Sequence, residues 1–219
     1  MASARDPHDN DAESGGCAER PPAPRAAGAL APPFVVVTGG PGAGKTTLLD
    51  ALARRGHPIT AEAGRAIIRE QRACGGDALP WADRARFAEL MVARDAATYA
   101  GADRAGPPVF FDRGLPDTIG YLRLEGLPVP PALPRAARAL PYHPRVLLAP
   151  FWPDIYRLDE ERAQTPAVAR RTGEMIAAVY EEYGYEVVPL PCVDVSGRVA
   201  FVEELFGASP ALRPVCGPR

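Results

Sequence analysis

Phe34-Val35-Val36-Val37-Thr38-Gly39-Gly40-Pro41-Gly42-Ala43-Gly44-Lys45-Thr46-Thr47 runs from an apolar, β-branched segment into a glycine-rich loop that ends on a lysine. The first four residues read as a buried strand. The glycines let successive backbone N–H groups turn inward around phosphate oxygens, the Lys45 ammonium reaches the β and γ phosphates, and the Thr46 hydroxyl offers a ligand to Mg²⁺. Residues 47 to 55 follow as a helix with Leu48, Leu49 and Leu52 on one face. Strand, loop and helix is the order that the pattern G-x-x-x-x-G-K-[ST] requires. Chance alone places the pattern in about one chain of this length in a hundred. Gly39, Gly40, Pro41, Gly42, Ala43, Gly44, Lys45, Thr46 and Thr47 are therefore the expected nucleotide-binding residues.

Composition strengthens the reading of Lys45. The 219-residue chain has 25 basic residues, and Lys45 is the one lysine among them. On a solvated surface arginine and lysine serve about equally, so a drift toward arginine spares lysine where a compact ammonium is needed. A formal net charge of -2 gives no basic field for nucleic acid. No apolar stretch is long enough to cross a membrane and no signal peptide is visible, so the expected location is the cytoplasm without membrane insertion. The four cysteines form no C-x-x-C pair and the three histidines are scattered, which suggests neither a zinc site nor a disulfide framework.

Outward from the loop, residues 1–33 are rich in Ala, Pro, Gly, Asp and Arg and read as a disordered arm. Residues 208–219 read as a flexible tail, which leaves one domain at 34–207. Within it short apolar runs predict strands at 34–38, 59–61, 109–112, 146–149 and 185–188. Longer periodic stretches predict helices at about 45–55, 62–73, 81–101, 115–125, 131–140, 166–183 and 197–206. This alternation implies an α/β fold, a three-layer sandwich in which about five mostly parallel strands carry helices on both faces. Thr165-Pro166 is a good helix start, and the stripe Val168, Thr172, Met175, Ile176, Val179 and Tyr183 after it reads as core. Trp81, Phe87 and Met91 likewise read as packing.

Ligands of such sheets sit at the carboxyl ends of the strands. Asp112 closes the apolar run Val109-Phe110-Phe111 and is the candidate, with Thr46, for the Mg²⁺ shell; its alternative is an N-cap for the helix near Pro116. Arg113 stands where a motor ATPase would carry a water-activating glutamate. Its planar fork suits the acceptor or the transferred phosphoryl group, the alternative being a salt bridge to Glu62 or another acid. Glu62, past the second predicted strand, is placed to position or deprotonate an acceptor. Arg65 and Arg69 share a helix face, either binding an acidic substrate or solvating that face. Between Asp154 and Arg171 the mixed charges suggest a lid, with Arg162 the first choice and Arg157 the second for a phosphate-neutralising arginine.

These residues resemble the bacterial NadR-like P-loop proteins catalogued as AAA-type predicted ATPases. The similarity spans about residues 34–206 through the phosphate loop, Glu62-Ala63-Gly64-Arg65, Phe111-Asp112-Arg113-Gly114, Tyr121-Leu122 and Asp159-Glu160-Glu161-Arg162. It implies a kinase-like P-loop NTPase fold that binds ATP (or GTP), and not a ring-forming motor. The Asp112-Arg113 pair is also similar to that of thymidylate and nucleoside kinases. The expected function is a Mg²⁺-dependent phosphotransferase acting on an unidentified small-molecule acceptor, with catalytic residues Lys45, Glu62, Asp112, Arg113 and Arg162. A nucleotide-binding switch and a plain ATPase are the alternatives.

Overall fold

The computed structural model describes residues 32–156 and 165–207. Apart from residues 32 and 33, the two expected tails lie outside the described residues, as do Arg157 and Arg162 of the expected lid. The strands are β1 (Phe34–Gly39), β2 (Val109–Asp112), β3 (Arg145–Ala149) and β4 (Glu186–Pro189). The helices are α1 (Lys45–Arg54), α2 (Ala63–Cys74), α3 (Arg84–Gly101), α4 (Leu115–Leu124), α5 (Ala132–Ala139), α6 (Pro166–Glu182) and α7 (Val195–Phe206), with a 3₁₀ turn at Pro153–Ile155. The sheet is parallel in the order β2-β1-β3-β4.

The sheet has four strands where about five are expected. Residues 59–61 reduce to a single parallel bridge, Ile59 to Phe110, beside β2. The cause is local. Phe110 N–H donates to Pro58 O at 2.9 Å and Thr60 N–H donates to Phe110 O at 2.9 Å, but the next rung is taken by a side chain, with Asp112 N–H donating to Thr60 Oγ1 at 3.3 Å. The hydroxyl replaces the carbonyl that a continued ladder would use, and the chain turns into α2.

Helix starts follow their caps. Helix α3 begins at Arg84, later than expected, because Asp83 accepts from the Arg86 amide at 2.9 Å; α7 begins at Val195, earlier than expected, because Asp194 accepts from the Gly197 amide at 2.8 Å. Thr165 caps α6 through the Val168 amide, with Pro166 first in the helix.

Alternation along the strands builds the layers. Val35, Val37, Phe110, Leu147 and Ala149 pack one face against Leu48, Leu49 and Leu52 of α1 and Val199 and Val202 of α7. Phe34, Val36, Phe111 and Val146 pack the opposite face against Tyr99 of α3 and Ile176 and Tyr180 of α6. A third cluster joins Leu115, Ile119 and Leu122 of α4 to Leu133 of α5 and Val179 of α6. No helix among the described residues is long and apolar enough to cross a membrane.

Asp117, in the first turn of α4, is buried and ties three layers together. Its Oδ1 accepts from the Thr38 hydroxyl of β1 and from Arg113 Nη1 at 3.0 Å. Its Oδ2 accepts from the Gly114 amide at 3.0 Å and from the Tyr180 hydroxyl of α6 at 2.7 Å. A buried carboxylate with this many donors stabilises only as a complete set.

At the end of β1 the backbone passes too close to its neighbours for any side chain. Gly39 has φ +131°, and a Cβ there would lie 2.2 Å from Ala149 O; a Cβ on Gly40 would lie 2.2 Å from Ala169 O. Gly39→Ala should lower unfolding free energy by about 3 kcal/mol or more through combined strain and overpacking. Gly56→Ala, at φ +90° with open space around it, should cost about 1 kcal/mol from strain alone. Asp117→Ala should cost about 3–5 kcal/mol by stranding buried donors, and Asp117→Asn less than half of that. Urea titrations of the variants check each value.

Candidate active site

The phosphate loop sits at the carboxyl end of β1. Gly42 and Gly44 take φ +69° and +81°, and Gly44 is the residue before α1. The loop therefore turns its amides toward the helix start, where the dipole already favours an anion. Lys45 is 6 % exposed, and its Nζ donates to Gly39 O at 3.0 Å and Gly40 O at 2.8 Å. The ammonium holds the loop in a closed curve, and phosphate oxygens of higher charge can replace those carbonyls. Thr46 and Thr47 are exposed at the first turn of α1.

From outside, Arg198 of α7 braces the loop, donating from Nη1 to Ala43 O at 2.9 Å and from Nε to Pro191 O at 2.9 Å. Its guanidinium lies 5.1 Å from the Trp152 ring centroid. Arg198 was not among the expected site residues, and its single sequence clue is that an arginine stands among the apolar positions of α7.

Asp112, paired in register with Val37, brings its carboxyl beside the loop. Burial, reinforced by Glu62 and opposed by Arg113 and Lys45, pushes it up to about 6. Its Oδ1 is buried without a hydrogen-bond partner among the described residues. An orphaned carboxyl oxygen beside a phosphate loop fits a hard cation. The described residues include no cluster of three or more His, Cys, Asp or Glu able to hold a metal alone, so Asp112 and Thr46 fit an ion carried in with phosphate oxygens. The alternative role of Asp112 as an N-cap does not hold, because Asp117 takes the Gly114 amide at the start of α4.

Arg113 has φ +72°, alone among the described non-glycine residues. This conformation costs about 1 kcal/mol and directs the side chain between two acids. Nε donates to Glu62 Oε1 at 3.3 Å and Nη1 to Asp117 Oδ1 at 3.0 Å. Burial opposes its charge, but Glu62, Asp117 and Asp112 together hold the guanidinium above the ordinary arginine range. Glu62 precedes α2, and its Oε2 lies 3.1 Å from Arg65 Nε. That approach is an ion pair without hydrogen-bond alignment, since Arg65 Nε makes no hydrogen bond. Arg65 is thus held by Glu62.

Beside this network lies a cavity of about 580 Å³, reaching from Pro41 of the loop past Glu62, Arg113 and Asp117. Trp81, Phe87, Met91 and Tyr121 form its aromatic and apolar wall. The expectation that Trp81, Phe87 and Met91 only pack is therefore corrected. Phe87 is buried, edge-on to Tyr121 at 5.8 Å, whereas Trp81 is 53 % exposed. The α6 stripe is corrected in the same way: Val168, Thr172 and Ile176 line the cavity, and only part of the stripe is core. Of the expected lid arginines, Arg171 reaches the cavity and Arg170 stacks 5.3 Å from the Phe151 centroid.

Asp95 of α3 also lines the cavity and was not anticipated. Phe87, Met91, Asp95 and Tyr99 recur at intervals of four, so the acid occupies the inward stripe of its helix. That misplaced polarity was the available signal.

A family model for an AAA domain matches residues 34–198. No curated protein matches the sequence. Among solved structures, a NadR protein in complex with NR is 21% identical over 80% of this chain and 50% of its own, with a TM-score of 0.57. A NadR complex with NAD and AMP-PNP gives 20%, 80% and 49% at the same TM-score of 0.57. This chain thus spans about half the length of the NadR chains. Thymidylate kinase from Ehrlichia chaffeensis is 16% identical over 81% of this chain and all of its own, with a TM-score of 0.53. These likenesses agree on a kinase-like P-loop fold, and with the match across residues 34–198 the chain belongs to the AAA domain family.

Proposed function

We propose that the protein is a Mg²⁺- and ATP-dependent phosphotransferase, working in the cytoplasm on a small molecule that carries a hydroxyl group. The observation that carries this reading is the cavity that begins at Pro41 of the phosphate loop and takes Glu62, Arg113 and an aromatic wall into its lining. A hydrolase needs only a water beside the γ-phosphate. A chamber of about 580 Å³ at that position is suited to a whole acceptor molecule.

In this reading the loop amides and Lys45 hold the β and γ phosphates. Thr46 and Asp112 would hold Mg²⁺, which when bound would supply positive charge against the phosphates. The acceptor hydroxyl oxygen forms a bond to the γ-phosphorus as the bond to the β–γ bridging oxygen breaks. Glu62 orients that hydroxyl and takes its proton. Arg113, fixed by Glu62 and Asp117, directs positive charge at the transferring group, and Arg171 adds charge from α6. Arg162 and Arg157, outside the described residues, remain the proposed lid arginines. A nucleotide-binding switch would leave the cavity without a purpose. The arginine after Asp112 argues against a plain ATPase.

Incubation with γ-labelled ATP and a cell metabolite extract tests the reading. Label in a new metabolite supports transfer; label only in free phosphate, or none released, ends it. Lys45→Ala should lower turnover about a hundredfold or more by removing preorganised charge. Lys45→Arg should also fail, because a planar guanidinium cannot occupy the point where the ammonium meets both loop carbonyls. Steady-state kinetics check both variants, and an active Lys45→Arg protein would contradict the role given to the lone lysine.

A further inference from the structure

We propose that Asp95 is a specificity-determining residue of the cavity: its carboxyl hydrogen-bonds an uncharged, ring-shaped acceptor, while the carboxylates of Glu62 and Asp117 beside it turn away acceptors that carry a phosphate or carboxylate. This rests on reading the cavity as the acceptor site.

Four carboxyls line the cavity, those of Glu62, Asp95, Asp117 and Glu125. Three are committed. Glu62 meets Arg113 and Arg65, Asp117 collects four donors, and Glu125 Oε2 lies 3.1 Å from Arg84 Nη1. Asp95 has no hydrogen bond or ion pair among the described residues, and it reaches solvent only partially. A carboxyl with no protein partner on an otherwise apolar helix stripe, facing a cavity, is available to complete a ligand's hydrogen bonds.

The charges around it decide which ligand. Asp117 from α4, Glu62 ahead of α2, Asp112 and Arg113 from the end of β2, and Tyr142 ahead of β3 are the titratable groups near Asp95. Arg113 is the one cation in this set, and two carboxylates already offset it. Arg171, the other cation of the lining, is exposed on α6 at the edge of the cavity. An acceptor phosphate placed beside Asp95 would meet more acid than base.

Burial, reinforced by Asp117, opposed by Arg113 and reinforced again by Glu62 and Asp112, pushes the Asp95 carboxyl up to about 8. At neutral pH it therefore carries a proton and donates a hydrogen bond. The flat walls of Trp81, Phe87 and Tyr121 suit a planar ring.

The folded-state value lies above the ordinary 3.8, so the favourable contribution of the neutral carboxyl is present at low pH and is lost as pH rises toward and through about 8. Asp95→Asn, which cannot ionise, should resist urea increasingly better than wild type from pH 4 to pH 9. A difference that does not change with pH overturns the assigned environment.

The decisive experiment is calorimetric titration of the full chain, with AMP-PNP and Mg²⁺ present, using adenosine, guanosine, cytidine and uridine and their 5′-monophosphates. Wild type should bind at least one nucleoside about tenfold or more tighter than its monophosphate. Asp95→Ala should weaken that nucleoside about tenfold, with AMP-PNP affinity unchanged, and Asp95→Asn should restore most of the loss by keeping an N–H donor. A monophosphate bound as tightly as its nucleoside, no nucleoside bound, or wild-type affinity in Asp95→Ala overturns the proposal. Titration requires no turnover, so a protein that binds a nucleoside without transferring label contradicts the phosphotransferase reading and leaves Asp95 in its role.

Discussion

The site depends on a largely buried guanidinium shared by two acids. Arg113 joins Glu62, at the mouth of α2, to Asp117, at the root of α4. Asp117 in turn gathers Thr38 from β1 and Tyr180 from α6. Each of these charges would be expensive alone in a buried setting, and together they are mutually satisfied. The set fixes the positions of β1, α2, α4 and α6, the elements between which the phosphate loop and the cavity lie. The left-handed backbone of Arg113 is the local cost of bringing one side chain into reach of both acids.

The second constraint is the absence of side chains. Gly39 and Gly40 lie against the carbonyls of Ala149 and Ala169, so β3 and α6 approach the loop more closely than any Cβ allows. Helix α6 can then press against the loop while Val168, Thr172 and Ile176 face the cavity. The cavity meets the loop at Pro41. In the proposed reading, a cavity of this size at the edge of the loop, more than the loop motif alone, favours transfer to a molecule over hydrolysis.

Much of this was legible in the sequence, for physical reasons that also explain what was not. The loop is read from local geometry, since glycines, a lysine and a threonine at fixed offsets act within one turn of backbone. Four strands and seven helices followed from periodicity, with errors where a cap such as Asp83 or Asp194 set the boundary. The strand expected at 59–61 is lost to one hydroxyl, that of Thr60, which substitutes for a backbone carbonyl. The cavity was missed because Phe87, Met91 and Ile176 look the same whether they face core or ligand. Periodicity reports that a face is buried, not what buries it. Only Asp95, a carboxyl on an inward stripe, carried a local sign of the difference.

The most direct measurement is a crystal structure of the protein with AMP-PNP and Mg²⁺. The predicted result has Lys45 Nζ released from Gly39 O and Gly40 O onto β and γ phosphate oxygens, the metal beside Thr46 and Asp112, and the γ-phosphate at the Pro41 end of the cavity. A triphosphate bound elsewhere, or a γ-phosphate walled off from the cavity, would contradict the assignment of loop and cavity to one phosphotransfer site.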